Sequence, residues 1–89
     1  MKKQPLIEET EHILQSKFNI DIKINKLKGT QENKTYVEFL YYNFKHHVTI
    51  SIPRYEIQPT QVASNILELI TDQHKLISQA LIEEVYLYN

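Results

Sequence analysis

From Phe18 to Ile24 the apolar side chains fall on every second position. Phe18, Ile20, Ile22 and Ile24 alternate with Asn19, Asp21, Lys23 and Asn25. A period of two sends one set of side chains to one face of a strand, so this segment predicts an amphipathic strand with a single core face. Val37, Phe39 and Tyr41 alternate with Tyr36, Glu38, Leu40 and Tyr42 in the same way. Val48, Ile50 and Ile52 repeat the pattern beyond the stretch Asn43 to His46. The middle strand differs from the first in one respect: the face opposite its core carries Tyr36, Leu40 and Tyr42, so it is only half polar. An antiparallel sheet with one solvated face keeps that face polar, and a surplus of large apolar side chains there points to contact with something else.

The flanking segments follow the helical period. Pro5 suits the first turn of a helix, where its missing N–H is harmless. Leu6, Thr10, Ile13, Leu14 and Lys17 then recur at helical spacing, with Glu8, Glu9 and Glu11 near the positive end of the dipole, predicting a helix over residues 5–16. Lys28 to Asn33, which holds the only glycine, reads as the loop between the first two strands. Pairing Leu27 with Lys34 sets Ile24 against Val37 and Ile22 against Phe39. Pairing Tyr42 with His47 across a turn at Asn43 to His46 sets Phe39 against Ile50 and Val37 against Ile52. Both choices gather Val37, Phe39, Tyr41, Val48, Ile50 and Ile52 on one core face.

Pro53 closes the third strand and Pro59 opens a second helical stripe through Val62, Ile66, Leu69, Ile70, Ile77, Leu81 and Tyr88. Unbroken to residue 88 it would measure about 45 Å, against about 30 Å for a domain of this size. The expectation is a long helix with a projecting end, or one broken near Thr71–Asp72, with the break slightly preferred. The fold class is α+β: a single domain over residues 1–89 in the order α-β-β-β-α, with helices on one face of a three-stranded antiparallel sheet.

Charge and chemistry narrow the function. Residues 17–54 carry seven Lys or Arg against three Asp or Glu, while residues 55–89 carry one against five. Cysteine is absent and no apolar run approaches the length needed to cross a bilayer, so a cytoplasmic protein without disulfides or a membrane segment is expected. Adjacent His46 and His47 point to opposite sides of a strand, and His12 and His74 lie on separate helices with no ligand spacing around them. The serines lack a base and oxyanion partner, and one glycine cannot build a phosphate loop. No catalytic residue, metal site or cofactor is expected, and the chain is read as non-enzymatic.

The order α-β-β-β-α resembles that of the double-stranded-RNA-binding domain over roughly residues 5–75. That resemblance would imply nucleic-acid binding, with Lys23, Lys26, Lys28 and Lys34 as the contacts. The chain departs from the family at both of its motifs. The loop Lys28-Gly29-Thr30-Gln31-Glu32-Asn33-Lys34 has no Gly-Pro-x-His, and the helix opening Pro59-Thr60-Gln61-Val62-Ala63-Ser64-Asn65 has no lysine for phosphate. The residues themselves favour a protein partner or a second copy of the chain. Tyr36, Leu40, Tyr42 and His47 on the outer sheet face, with Tyr86 and Tyr88 near the C-terminus, are the candidate contacts. The concrete expectation is a small inhibitor, immunity or adaptor protein that occludes a partner. Its abundance of Ile, Lys, Asn and Tyr fits an AT-rich bacterial, phage or mobile-element source.

Overall fold

The computed structural model describes residues 4–72. Helix α1 spans Pro5–Phe18, with Pro5 in its first turn, Glu8 near its N-terminus and Lys17 in its last turn. It ends where Asn19 turns into the left-handed region at φ 54°, a conformation asparagine tolerates better than most residues. There the Asn19 N–H donates to the Gln15 carbonyl and the Ile20 N–H to the Leu14 carbonyl. This cap carries the helix two residues beyond the expected end. Phe18 is therefore helical rather than part of an alternating strand, and the first strand begins only at Lys23.

Strands β1 (Lys23–Gly29), β2 (Thr35–Tyr41) and β3 (Phe44–Ile50) form an antiparallel sheet in the order β1-β2-β3. The β1–β2 loop is shorter than the sequence suggested. The Asn33 N–H donates to the Thr30 carbonyl, the Thr30 N–H to the Lys34 carbonyl, and Asn33 itself sits at φ 61°. This is the three-residue hairpin loop in which a left-handed residue follows a turn. Gly29 remains in the strand, where an added Cβ would lie 3.2 Å from the Cβ of Arg54.

Both expected registers are displaced. Ile24 faces Phe39 and Leu27 faces Val37, and the register slips at Asn25, a β-bulge. Because the bulge adds one residue to β1, Ile24 and Leu27 reach the same face although they lie three positions apart. Between β2 and β3 the turn is Tyr42–Asn43 alone, with φ of 52° and 65°, so Tyr41 faces Phe44, Phe39 faces His46 and Val37 faces Val48. The tight turn moves the pairing by an even number of positions, which is why the core face survives the change. Val37, Phe39 and Ile50 are buried, while Tyr41, Val48 and Ile52 pack half-buried around them.

A second helix, α2, is described over residues 59–72. Gln58 precedes it, and its N–H donates to the Gln61 side chain at 2.8 Å, half of a capping box. Val62, Ala63, Ile66 and Ile70 of α2 join Ile7 and Leu14 of α1 over the same sheet face, giving one core and the α-β-β-β-α order. Thr35 and Thr10, both buried, donate to the Ile52 and Leu6 carbonyls, so their hydroxyls are satisfied. Thr71 and Asp72 are helical, and any break beyond them lies outside the described residues, as do Tyr86 and Tyr88.

The bulge supports an unusual prediction. Deleting one residue from a strand normally swaps its faces, but deleting Asn25 leaves Ile24, Lys26, Leu27 and Lys28 in plain alternation. The deletion should cost under about 2 kcal/mol, whereas deleting Leu40 from β2 should prevent folding. Urea unfolding of the two variants checks this, and an unfolded Asn25 deletion contradicts it.

Candidate functional site

The outer sheet face is built from three cross-strand rows. Lys28, Tyr36 and Thr49 form one, Lys26, Glu38 and His47 the next, and Lys23, Leu40 and Lys45 the last. The Asn25 bulge is what turns all three β1 lysines to this side. Four lysines thus share this face with one carboxylate, Glu38, which is only 8% exposed. Lys45 lies 3.7 Å from Glu38, and the Tyr36 hydroxyl donates to the same carboxylate at 3.3 Å. The Tyr36 ring stacks on His47 with centroids 6.1 Å apart, and the Lys28 ammonium stands 5.7 Å from its centre. Partial burial, then the neighbouring Glu38 charge, then their hydrogen bond hold the Tyr36 phenol above its ordinary range.

Sequence reasoning brought Tyr36, Leu40 and His47 to one face, and they do share it. Tyr36 has partners for ring and hydroxyl within the sheet, so much of the apparent apolar surplus is used there. Tyr42 is not on this face. It occupies the turn, because the two-residue hairpin ends the ladder at Tyr41. Of the four lysines read as nucleic-acid contacts, Lys23, Lys26 and Lys28 share the outer face. Lys34 stands apart in the loop, 3.5 Å from Glu32 in an exposed pair worth little. Lys45 belongs with the first three and was missed, because its strand was expected to begin later.

The hairpin tip brings two exposed rings together, while a third, Tyr55, stands exposed in the β3–α2 connector. Tyr42 is 78% exposed and Phe44 71% exposed, while Tyr41 makes an edge contact with Tyr42 at 4.6 Å. A bulky residue at positive φ costs about 1 kcal/mol relative to asparagine or glycine, and two-residue turns of this kind favour Asn-Gly. Beside the turn lies an open pocket of about 380 Å³ lined by Ile20, Asp21, Lys23, Leu40, Tyr41 and Tyr42, among others. Asn19, the left-handed cap of α1, and Asn43 of the turn complete its lining. Asn43→Gly should raise stability by about 0.5–1 kcal/mol, several degrees in Tm by circular dichroism, since it relaxes the turn without touching Tyr42.

A rival surface lies between the helices, where Ile13, Phe18, Ala63 and Leu67 line a groove of about 200 Å³ and Phe18 is 50% exposed. His46 stacks on Phe39 at 5.5 Å on the core side, and His47 faces outward. Among the described residues no group of three His, Asp or Glu side chains is placed to hold a metal, and no helix is long and apolar enough to cross a membrane. No family model matches the sequence, and no curated protein or solved structure shows significant similarity to it.

Proposed function

We propose that this chain is a non-enzymatic protein-binding module, an inhibitor, immunity or adaptor protein that occludes its partner by docking the β2–β3 hairpin tip. One observation carries the reading: Tyr42 sits in the left-handed region with its ring in solvent. Stability alone favours asparagine or glycine at that position, and against that local cost the exposed tyrosine gains, among the described residues, only its contact with Tyr41. Exposed tyrosines are favoured anchors at protein interfaces, combining a large ring with a polar end. The neighbouring pocket, with Asp21 and Lys23 at its polar rim and Ile20, Leu40 and Tyr41 as its apolar wall, offers a place for a partner side chain.

A second reading has its own support. Lys23, Lys26, Lys28 and Lys45 on one face form a basic surface that would suit a nucleic-acid backbone. Capture by the immobilised chain from cytoplasmic extract, washed at rising salt, separates the two. A protein docked through Tyr42 should stay bound in high salt, whereas nucleic acid should elute steeply as salt rises. Recovery of nucleic acid alone, released by salt, would favour the second reading over the first.

A further inference from the structure

Both β1 and β3 are edge strands, but among the described residues only β1 is defended. On β1 the Asn25 bulge interrupts the ladder, and the Ile24 N–H is taken by the Glu11 carboxylate at 2.8 Å. Bulges, charges and covering groups are the devices that keep sheet edges from pairing. Strand β3 runs Phe44–Ile50 in unbroken register with β2, without proline, glycine or bulge. Its one lysine, Lys45, is drawn toward Glu38 of the neighbouring strand.

The turn fixes which backbone groups face outward. Residues flanking a two-residue hairpin exchange hydrogen bonds, so Tyr41 and Phe44 do so, and the alternation continues to His46, Val48 and Ile50. The N–H and C=O groups of Lys45, His47 and Thr49 therefore point away from β2, and all three residues are exposed.

We infer that β3 pairs antiparallel with β3 of a second copy about a two-fold axis at His47, joining two sheets into one. The register is self-complementary. Lys45 faces Thr49 of the second copy and His47 faces its equivalent, so every outward backbone group of these residues is satisfied. On the core side, exposed Phe44 falls opposite Ile50 of the second copy, and His46 opposite Val48. Centring the axis at Lys45 would set lysine against lysine, which is unfavourable. Centring it at Thr49 would leave Phe44 beyond the end of the seam. Tyr42 stands outside this seam and His47 outside the hairpin tip, so Tyr42→Asn tests the proposed partner contact and His47→Lys tests self-association.

Sedimentation equilibrium of the full chain tests this. A seam of one strand is small, so a dimer with Kd near about 10–100 μM is expected. His47→Lys, a change at an exposed side chain, should weaken it about tenfold by setting two cations face to face, with circular dichroism verifying the fold. Because the chain has no cysteine, His47→Cys should form a covalent dimer on mild oxidation, its Cα atoms facing at about 5.5 Å. Lys28→Cys on β1 should not. A chain that stays monomeric at about 1 mM, a dimer indifferent to His47→Lys, or equal crosslinking at both positions would overturn the inference. Uptake of an unrelated extended peptide by a monomeric chain would do so as well.

Discussion

Phe39→Ala should leave much of the protein unfolded at 37 °C. Phe39 is the largest fully buried side chain among the described residues, at the centre of the middle strand. It lies between Ile24 and His46 across the sheet and stacks on the His46 ring. Both helices close on that face through Leu14, Val62 and Ile66, all fully buried. Truncating such a ring removes its transfer energy and leaves a cavity that a rigid sheet cannot collapse, at a cost of about 3–5 kcal/mol. A domain of this length holds only about 5–10 kcal/mol in total. Phe39→Leu keeps most of the volume and should cost about 1 kcal/mol. Urea unfolding resolves the two, and a Phe39→Ala loss below about 1 kcal/mol would mean that the core is centred elsewhere.

Tyr42→Asn should move stability and binding in opposite directions. Asparagine accepts the left-handed conformation at φ 52° more readily than tyrosine. Relief of that strain, less the lost edge contact with Tyr41, should leave the variant as stable as the parent or up to about 1 kcal/mol more so. The same change removes the ring proposed as the partner anchor. Truncating an anchor of this kind costs about 2 kcal/mol of binding or more, at least about 30-fold in affinity. Thermal unfolding and calorimetric titration with the captured partner measure the two quantities. Trade-offs of this sign are expected where function holds a residue in an unfavourable conformation. If affinity stays within a factor of about two while stability rises, Tyr42 is merely a poor turn residue.

The sheet's core face was legible because alternation is insensitive to even displacements. The pattern places Val37 and Phe39 in the core whichever partners they are given, and they hold that place opposite Leu27 and Val48, and Ile24 and His46. Pro5 and Pro59 marked the helix starts because proline fits only the first turn of a helix. The bulge was not legible. Asn25 lies between Ile24 and Lys26 and reads as one more outward residue, and only the pairing of Leu27 with Val37 shows that it is extra. The hairpin turn was missed for a related reason. Its usual Asn-Gly signal is absent, and Tyr-Asn does not announce two positive φ angles. That miss placed Tyr42 on the sheet face and hid Phe44 and Lys45 in a loop. One feature did signal the end of α1: Asn19 follows Phe18 directly, and asparagine is a common left-handed cap. The alternation running through it outweighed that signal.

The docking place itself is measured most directly by amide chemical-shift mapping of the labelled chain during titration with its captured partner. Binding at the hairpin tip predicts the largest changes at Leu40 to Lys45 and at Ile20 to Lys23, the two walls of the pocket beside Tyr42. Changes concentrated instead at Ile13, Phe18, Ala63 and Leu67, with the hairpin undisturbed, would put the partner in the groove between the helices and contradict docking through the tip.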